Sequence, residues 1–331
     1  MTKISLVILR TAAVASCALL IFYSISSLLS NYEWRQNVSF WGEKNSFDWS
    51  QPREKPDLDK EILFFNRIPK TGSEMFVLLM TWLQRRNSFT HLRLRSNDRN
   101  LTPDQQLSLV SEMKTRMQAA APAQRVSFDR HLHFTDFAAL GVPRVSYFSM
   151  VREPIEKLTS RFYYARATPR PLGYTPPGRA LPPREPPPYA TLEECVAARH
   201  PACTFERGRH YDLTIAYFCG HAPYCTELSN EAAYEEAERN LVRHFSVVGV
   251  LEELNATLAL LENKLPKYFS GVTELYHQDL GAPHLNKNYQ RPQNLSSSAE
   301  AELRANLSLE LRFYETVRDR LLHQASQLYV H

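Results

Sequence analysis

The stretch Glu61–Gln84, EILFFNRIPKTGSEMFVLLMTWLQ, constrains the fold more than any other part of this chain. Ile62–Phe65 is an unbroken apolar run of the kind a strand buried on both faces requires, and Pro69 ends it. Lys70-Thr71-Gly72-Ser73 then opens a segment with helical apolar periodicity. Strand, tight turn and helix N-terminus in succession make a ready anion site. Orphan backbone N–H groups point out of the first turn, and the helix dipole favours negative charge there. Gly72 permits close backbone approach, Thr71 and Ser73 add hydroxyls, and Lys70 adds a full charge. The order Lys-Thr-Gly-Ser departs from GxxxxGK[ST], so the turn points to a nucleotide-type phosphate but away from an ordinary ATPase. The same residues also allow a plain helix cap, with Thr71 or Ser73 satisfying the first-turn donors.

The alternation continues along the chain. A helix is predicted over Thr102–Gln118, a strand over Val126–Phe134 and a buried strand over Arg144–Val151. A helix starts near Pro154, Phe245–Val250 is a further buried strand, and Glu252–Phe269 a further helix. Ser297–Tyr329 again has helical periodicity. Strands alternating with helices predict an α/β fold, a parallel sheet covered on both faces. Residues 59–331 are enough for one sizeable core. Nine prolines among the twenty residues Pro169–Pro188 predict an extended surface loop.

Residues 1–10 carry Lys3 and Arg10, and Thr11–Ser30 follows without a charge. That length suffices to cross roughly 30 Å of hydrocarbon, and the charge bias puts the N-terminus in the cytoplasm. The expected organisation is a cytoplasmic tail (1–10), a transmembrane signal-anchor (11–30), a polar stem (31–58) and a lumenal domain (59–331). A cleaved signal peptide is the competing reading. Five N-x-[ST] sequons, at Asn37, Asn100, Asn255, Asn294 and Asn306, suit a lumenal body. So do the cysteines. Cys17 falls in the apolar segment, and Cys195, Cys203, Cys219 and Cys225 form a close cluster of four. Local disulfides Cys195–Cys203 and Cys219–Cys225 are expected; zinc ligation is the rival, with spacings longer than the usual ligand knuckle.

A formal net charge of +4 argues against a general nucleic-acid binder. Arginines nevertheless bunch at Arg85, Arg86, Arg93, Arg95 and Arg99 and at Arg161, Arg166 and Arg170. They suit either a solvated face or an acidic substrate, since guanidinium pairs bidentately with carboxylate and sulfate. The second strand-to-helix turn, Val151-Arg152-Glu153-Pro154, repeats the logic of the first: Arg152 leaves the strand end and Ser160 lies two turns into the next helix. In Arg130-His131-Leu132-His133-Phe134, a strand would project both histidines to one side, where a neutral imidazole can serve as general base. A metal pair or two surface histidines are the alternatives.

NRIPKTGS, RHLHF, VREPIEKLTSRFYYAR, YFCGHAPYC and VVGVLEELNATLALLENKLPKYF together resemble the uronyl and heparan sulfate 2-O-sulfotransferases, a group that includes the insect Pipe-like proteins. The motifs occur in family order and span most of residues 61–290. The resemblance implies a P-loop-like sulfotransferase fold in the Golgi lumen, tethered as a single-pass type II membrane protein. It implies 3′-phosphoadenosine 5′-phosphosulfate as donor and no metal. The first loop would hold the 5′-phosphosulfate, here Lys70, Thr71, Gly72, Ser73 and Glu74. Arg152 and Ser160 would hold the 3′-phosphate, and Asn286 and Lys287 would add donor contacts. His131 or His133 would be the catalytic base, and Lys70 would neutralise the leaving group. The acceptor would be a uronic acid 2-hydroxyl in dermatan, chondroitin or heparan sulfate, or in a related glycan, and the assembly a homotrimer. RHLHF looks more like the uronyl enzymes and PKTGS more like the heparan sulfate enzymes, which leaves the acceptor open. A lumenal kinase, with Asp129 the nearest metal-ligand candidate, and a catalytically silent glycan-binding relative are the competing functions.

Overall fold

The computed structural model describes residues 62–120, 125–142, 144–167, 189–280 and 295–329. The expected anchor, the stem, the proline-rich stretch, Asn37, Arg170, Asn286, Lys287 and Asn294 lie outside them. Among the described residues no helix is long and apolar enough to cross a membrane.

Five strands form one parallel sheet: β1 (Ile62–Arg67), β2 (Phe89–Arg93), β3 (Arg125–His131), β4 (Val145–Val151) and β5 (Phe245–Val250), in the order β2-β3-β1-β4-β5. Every residue of β1 and β4 is buried, as their continuous apolar runs require of central strands. Phe65 of β1 stacks on Phe148 of β4 at 4.4 Å between ring centroids. Phe76, from helix α1 (Ser73–Arg86), meets Phe148 edge-on at 5.4 Å. That contact seats the helix that follows the first turn directly on the central strands.

Helix α2 (Pro103–Ala119) begins with Thr102 and Gln105 in a reciprocal capping box. Helix α3 (Pro154–Ala167) follows β4, and a short α4 (Leu192–Ala197) packs with it around Phe162, Tyr163, Leu192 and Val196 in a second, smaller core. Helix α5 (Glu231–His244) leads into β5. The expected helix Glu252–Phe269 is interrupted: a tight turn over Leu251–Glu253 precedes α6 (Leu254–Lys264), and Pro266 opens a separate turn to Phe269. Proline disfavours helical geometry at the residue before it, and Leu265 accordingly leaves the helical region. The C-terminal helical stretch is two helices, α7 (Ser297–Asn306) and α8 (Ser308–Ser326), broken at Leu307.

Both expected disulfides form, Cys195–Cys203 and Cys219–Cys225, which removes these sulfurs as zinc ligands. Strand β2 went unrecognised in the sequence. Its five residues, FTHLR, lie on the sheet edge, and its core-facing content is too short to show a pattern.

Candidate functional site

In an open parallel sheet, ligands bind outside the carboxyl ends of the strands where the strand order reverses. Here β1 sits between β3 and β4, so the turns after β1 and β4 leave the sheet side by side. In the first turn Lys70 and Gly72 both adopt left-handed backbone, at φ 68° and 74°. Thr71 is fully buried, and its hydroxyl donates to the Ile68 carbonyl at 2.9 Å. It therefore pins the turn instead of offering its proton outward, contrary to the expectation from sequence. Gly72 occupies the cap position of α1, and no side chain caps that end. The simple capping reading of Thr71 and Ser73 thus gives way to a helix start whose first N–H groups are left for another partner.

Lys70 Nζ lies 3.6 Å from the centroid of the Tyr164 ring. Burial, and then the charge of Arg152, lower its pKa to about 8. The two turns therefore sense one another electrostatically. Arg152 donates to Glu156 at 2.9 Å, and its Nε, 3.8 Å from Glu252, is buried with no hydrogen-bond partner. Ser160 is buried on α3. The turn after β5 closes the third side: a Cβ on Gly72 would stand 2.8 Å from Leu251 Cδ1. Glu252 accepts the Glu153 N–H at 3.2 Å.

Two acidic candidates are already held by guanidinium groups, Glu74 at the surface and Asp129 in the core. Glu74 bonds Arg67 at 2.5 Å and Arg93 at 2.6 Å, so only its backbone N–H is left for a phosphate. Burial pushes its pKa up, but these guanidinium groups hold it below the ordinary value. Asp129 is fully buried against Arg67 (2.7 Å), His91 (3.1 Å) and Arg93 (3.3 Å). Burial opposes its charge, yet His91 and Arg67 take its pKa down to about 2. A carboxylate held on three sides in the core is a structural anion, which removes the metal ligand the kinase reading needed.

The histidine pair departs from its expected geometry. Strand β3 stops at His131, where its register with β1 ends at Arg67. β1 cannot continue into Pro69, so there is no ladder to carry β3 to Phe134. The expectation that both rings project from one strand face fails. His131 places Nδ1 3.1 Å from the Arg67 carbonyl. That bond makes Nδ1 the donor and leaves Nε2 as acceptor. His133 lies past the strand; its backbone N–H donates to the Arg99 carbonyl at 2.9 Å. Its ring is buried, edge-on to Tyr217 at 5.1 Å and stacked on His221 at 6.0 Å, with Nε2 3.4 Å from Asp212. Both imidazoles are held neutral, with pKa values lowered to about 4. Burial is the main cause in each, reinforced by Arg67 at His131 and by His221 and then Arg99 at His133.

Asp212, Tyr217, Lys157 and Glu310 escaped the sequence reading. Asp212 pairs with Arg99 as well as facing His133. The backbone just after it is fastened to buried Glu310, which accepts the Thr214 and Ile215 N–H groups at 2.8 and 3.2 Å. Buried Lys157 donates to the Thr214 hydroxyl at 2.9 Å. Asn66 and Asn240 hold the carbonyls of Tyr217 and Phe218 at 2.8 and 2.9 Å. The one available signal was a carboxylate and a lysine, Glu310 and Lys157, placed among the apolar positions of two helices. The arginine bunch separates in space: Arg86 pairs with Glu274, Arg93 with Glu74 and Asp129, and Arg99 with Asp212, while Arg85 and Arg95 are exposed. Of the described sequons, Asn100 and Asn255 are exposed and Asn306 is half-buried.

Comparison with known proteins identifies the chain's family and relatives. Residues 58–315 match the model of the sulfotransferase family. The chain is 30% identical over 284 residues to the uronyl 2-sulfotransferase homolog pip of Drosophila melanogaster, covering 81% of this chain and 54% of that protein. It is 33% identical over 233 residues to heparan sulfate 2-O-sulfotransferase 1 of Gallus gallus, covering 68% and 61%. With the uronyl 2-sulfotransferase of Mus musculus it shares 31% over 261 residues, covering 77% and 61%. The chain thus spans between half and two thirds of the length of these relatives.

Proposed function

The chain belongs to the sulfotransferase family, and from that premise we propose that it moves a sulfuryl group from 3′-phosphoadenosine 5′-phosphosulfate to the 2-hydroxyl of a uronic acid in a glycosaminoglycan. The observation that carries this reading is the pairing of two basic turns on adjacent strands, Lys70–Ser73 and Arg152. A donor with phosphates at both its 3′ and 5′ positions needs two such cradles. The residues fit it: an uncapped helix start at Gly72, an Arg152 Nε without a hydrogen-bond partner, and a buried Ser160 hydroxyl. Lys70 and the first-turn N–H groups serve the 5′-phosphosulfate, with Asn286 and Lys287 as further donor contacts.

His133 is the base in this scheme. A carboxylate, Asp212, stands beside its ring to stabilise the imidazolium, and Arg99 borders the same place. The acceptor hydroxyl gives its proton to His133 as its oxygen bonds sulfur. The bond from sulfur to the bridging oxygen breaks, and Lys70 meets the charge that collects on that oxygen. His131, bonded to the Arg67 carbonyl, orients the acceptor. The proposal extends to a Golgi membrane anchor at Thr11–Ser30, a lumenal domain, a homotrimer, and glycan on the sequons; glycosidase sensitivity of the expressed chain tests the topology.

The deciding experiment incubates the purified protein with sulfate-labelled donor and a panel of dermatan, chondroitin and heparan acceptors. Labelled uronate at its 2-position is expected. Labelling that needs ATP would refute the reading, and binding of glycan without transfer would make the chain a silent relative. His133→Ala should keep donor binding and lose about 10²–10⁴-fold in turnover. Full turnover in both His133→Ala and His131→Ala would remove the base assignment.

A further inference from the structure

Tyr217 is fully buried, yet its hydroxyl has no hydrogen-bond partner among the described residues. Folded proteins seldom keep such a group without a use for it. The ring stands edge-on to His133 at 5.1 Å. Lys157 Nζ lies 6.0 Å from the centre of the same ring, and Arg161 follows one turn later on the same face of α3. Among the described residues no carboxylate pairs with Arg161; burial, and then the charge of Arg99, lower its pKa. Lys157 is committed to Thr214 and faces Glu310, so it does not supply the missing counter-charge.

We infer that Tyr217 Oη, Arg161 and Arg99 form a subsite for an anionic group of the acceptor, either the uronate carboxylate or a sulfate on the adjoining sugar, that sets the target hydroxyl against His133. This rests on the function proposed above and deepens it. Asp212 now occupies Arg99 with a carboxylate of its own. The backbone on either side of Asp212 is fixed, by the Tyr211 N–H on the Thr226 carbonyl at 2.7 Å and the Thr214 N–H on Glu310 at 2.8 Å. Asp212 meets Arg99 through Oδ2 and His133 through Oδ1, so Arg99 can exchange one carboxylate for another while Oδ1 stays beside the imidazole. Arg161 is the direct neighbour of Ser160 on α3, so the acceptor's anion and the donor's 3′-phosphate are gripped by consecutive residues of one rigid helix. That coupling would hold the two substrates in a fixed relation.

Tyr217→Phe and Arg161→Gln test this without emptying the core. Each should raise the acceptor KM, and weaken acceptor binding measured by calorimetry, about tenfold or more, the usual effect of losing a hydrogen bond to a charged group. Donor-product affinity should stay within about twofold, and Tyr217→Phe should not lower the melting midpoint, because the deleted hydroxyl has no partner in the free protein. Carboxyl-reduced and desulfated oligosaccharides identify the source of the anion: the analogue that erases the gap between wild type and variants lacks the recognised group. Unchanged acceptor KM in both variants overturns the subsite while leaving sulfuryl transfer intact. Tyr217→Phe losing melting stability together with donor binding overturns it in favour of a structural hydroxyl. A wild-type protein that neither sulfates nor binds any acidic glycan overturns both the subsite and the function on which it rests.

Discussion

Gly72→Ala probes the contact between the first turn and the turn after β5. The residue sits at φ 74°, where a Cβ costs about 1–2 kcal/mol. Its new methyl would also lie 2.8 Å from Leu251 Cδ1, well inside the roughly 3.5–4.0 Å optimum for carbon pairs. Cδ1 is the end of a flexible side chain, so the clash is relieved by pushing Leu251 off its rotamer, at roughly 0.5–1.5 kcal/mol. The sum, about 1.5–3.5 kcal/mol, corresponds to a fall of roughly 3–14 °C in melting midpoint for a domain of this size. Donor affinity should fall as well, because Leu251 adjoins the Glu252 carboxylate that holds the Glu153 N–H beside Arg152. The two contributions separate in a double-mutant cycle. In a Leu251→Ala background the clash vanishes and the backbone term stays, so the Gly72→Ala penalty should shrink to about 1–2 kcal/mol. Thermal melting and calorimetry with the donor's desulfated product read both quantities. Equal penalties in the two backgrounds would refute the contact, and no penalty in either would refute the left-handed turn.

Asp129→Asn removes the shared anion of Arg67, His91 and Arg93 and should cost about 3–5 kcal/mol in chemical denaturation; added divalent cation should neither bind at nor rescue this position. His131, His133 and His221 all have folded-state pKa values lowered to about 4, so the unfolded chain binds more protons between about pH 4 and 6.5. Stability should accordingly rise with pH across that window, and a melting midpoint flat from pH 4.5 to 6.5 would contradict the burial of these rings. Lys70, lowered to about 8, should lose its charge in the free enzyme above that pH, and kcat/KM for the donor should decline there. Lys70→Arg should abolish that alkaline limb even if overall activity drops.

The two turns proposed to hold the donor were legible because they are local. Their determinants are a strand end, a turn and a helix start, each within a few residues: Ile62–Ser73 in one case and Val151–Ser160 in the other. The sheet order, which places β1 beside β4, then brings the two turns together; alternation predicted the parallel sheet but not that order. What local reading missed was the use of individual atoms. The Thr71 hydroxyl turns back onto Ile68, and Glu74 turns toward Arg67 and Arg93, choices set by partners elsewhere in the chain. Strand β3 was overextended for the same reason, since it ends where its neighbour β1 gives out.

The surroundings of His133 are long-range by construction, and this is why its partners stayed hidden. Asp212 meets Arg99 across 113 positions and His133 across 79. Glu310 reaches Thr214 across 96, and Lys157 reaches Thr214 across 57. Asp212 and Glu310 belong to no motif quoted from the sequence, and the partners of Lys157 and His133 lie far from the motifs that contain them. A donor common to many enzymes can be gripped by one compact pattern. An acceptor that differs from enzyme to enzyme is better met by loops that vary independently over the same scaffold. Two groups stand beside the proposed donor turns: the guanidinium of Arg161, next to Ser160 on α3, and the carboxylate of Asp212 set against His133. Substituting Arg161 should therefore change which glycan is used while the donor cradle, one residue away, keeps its grip.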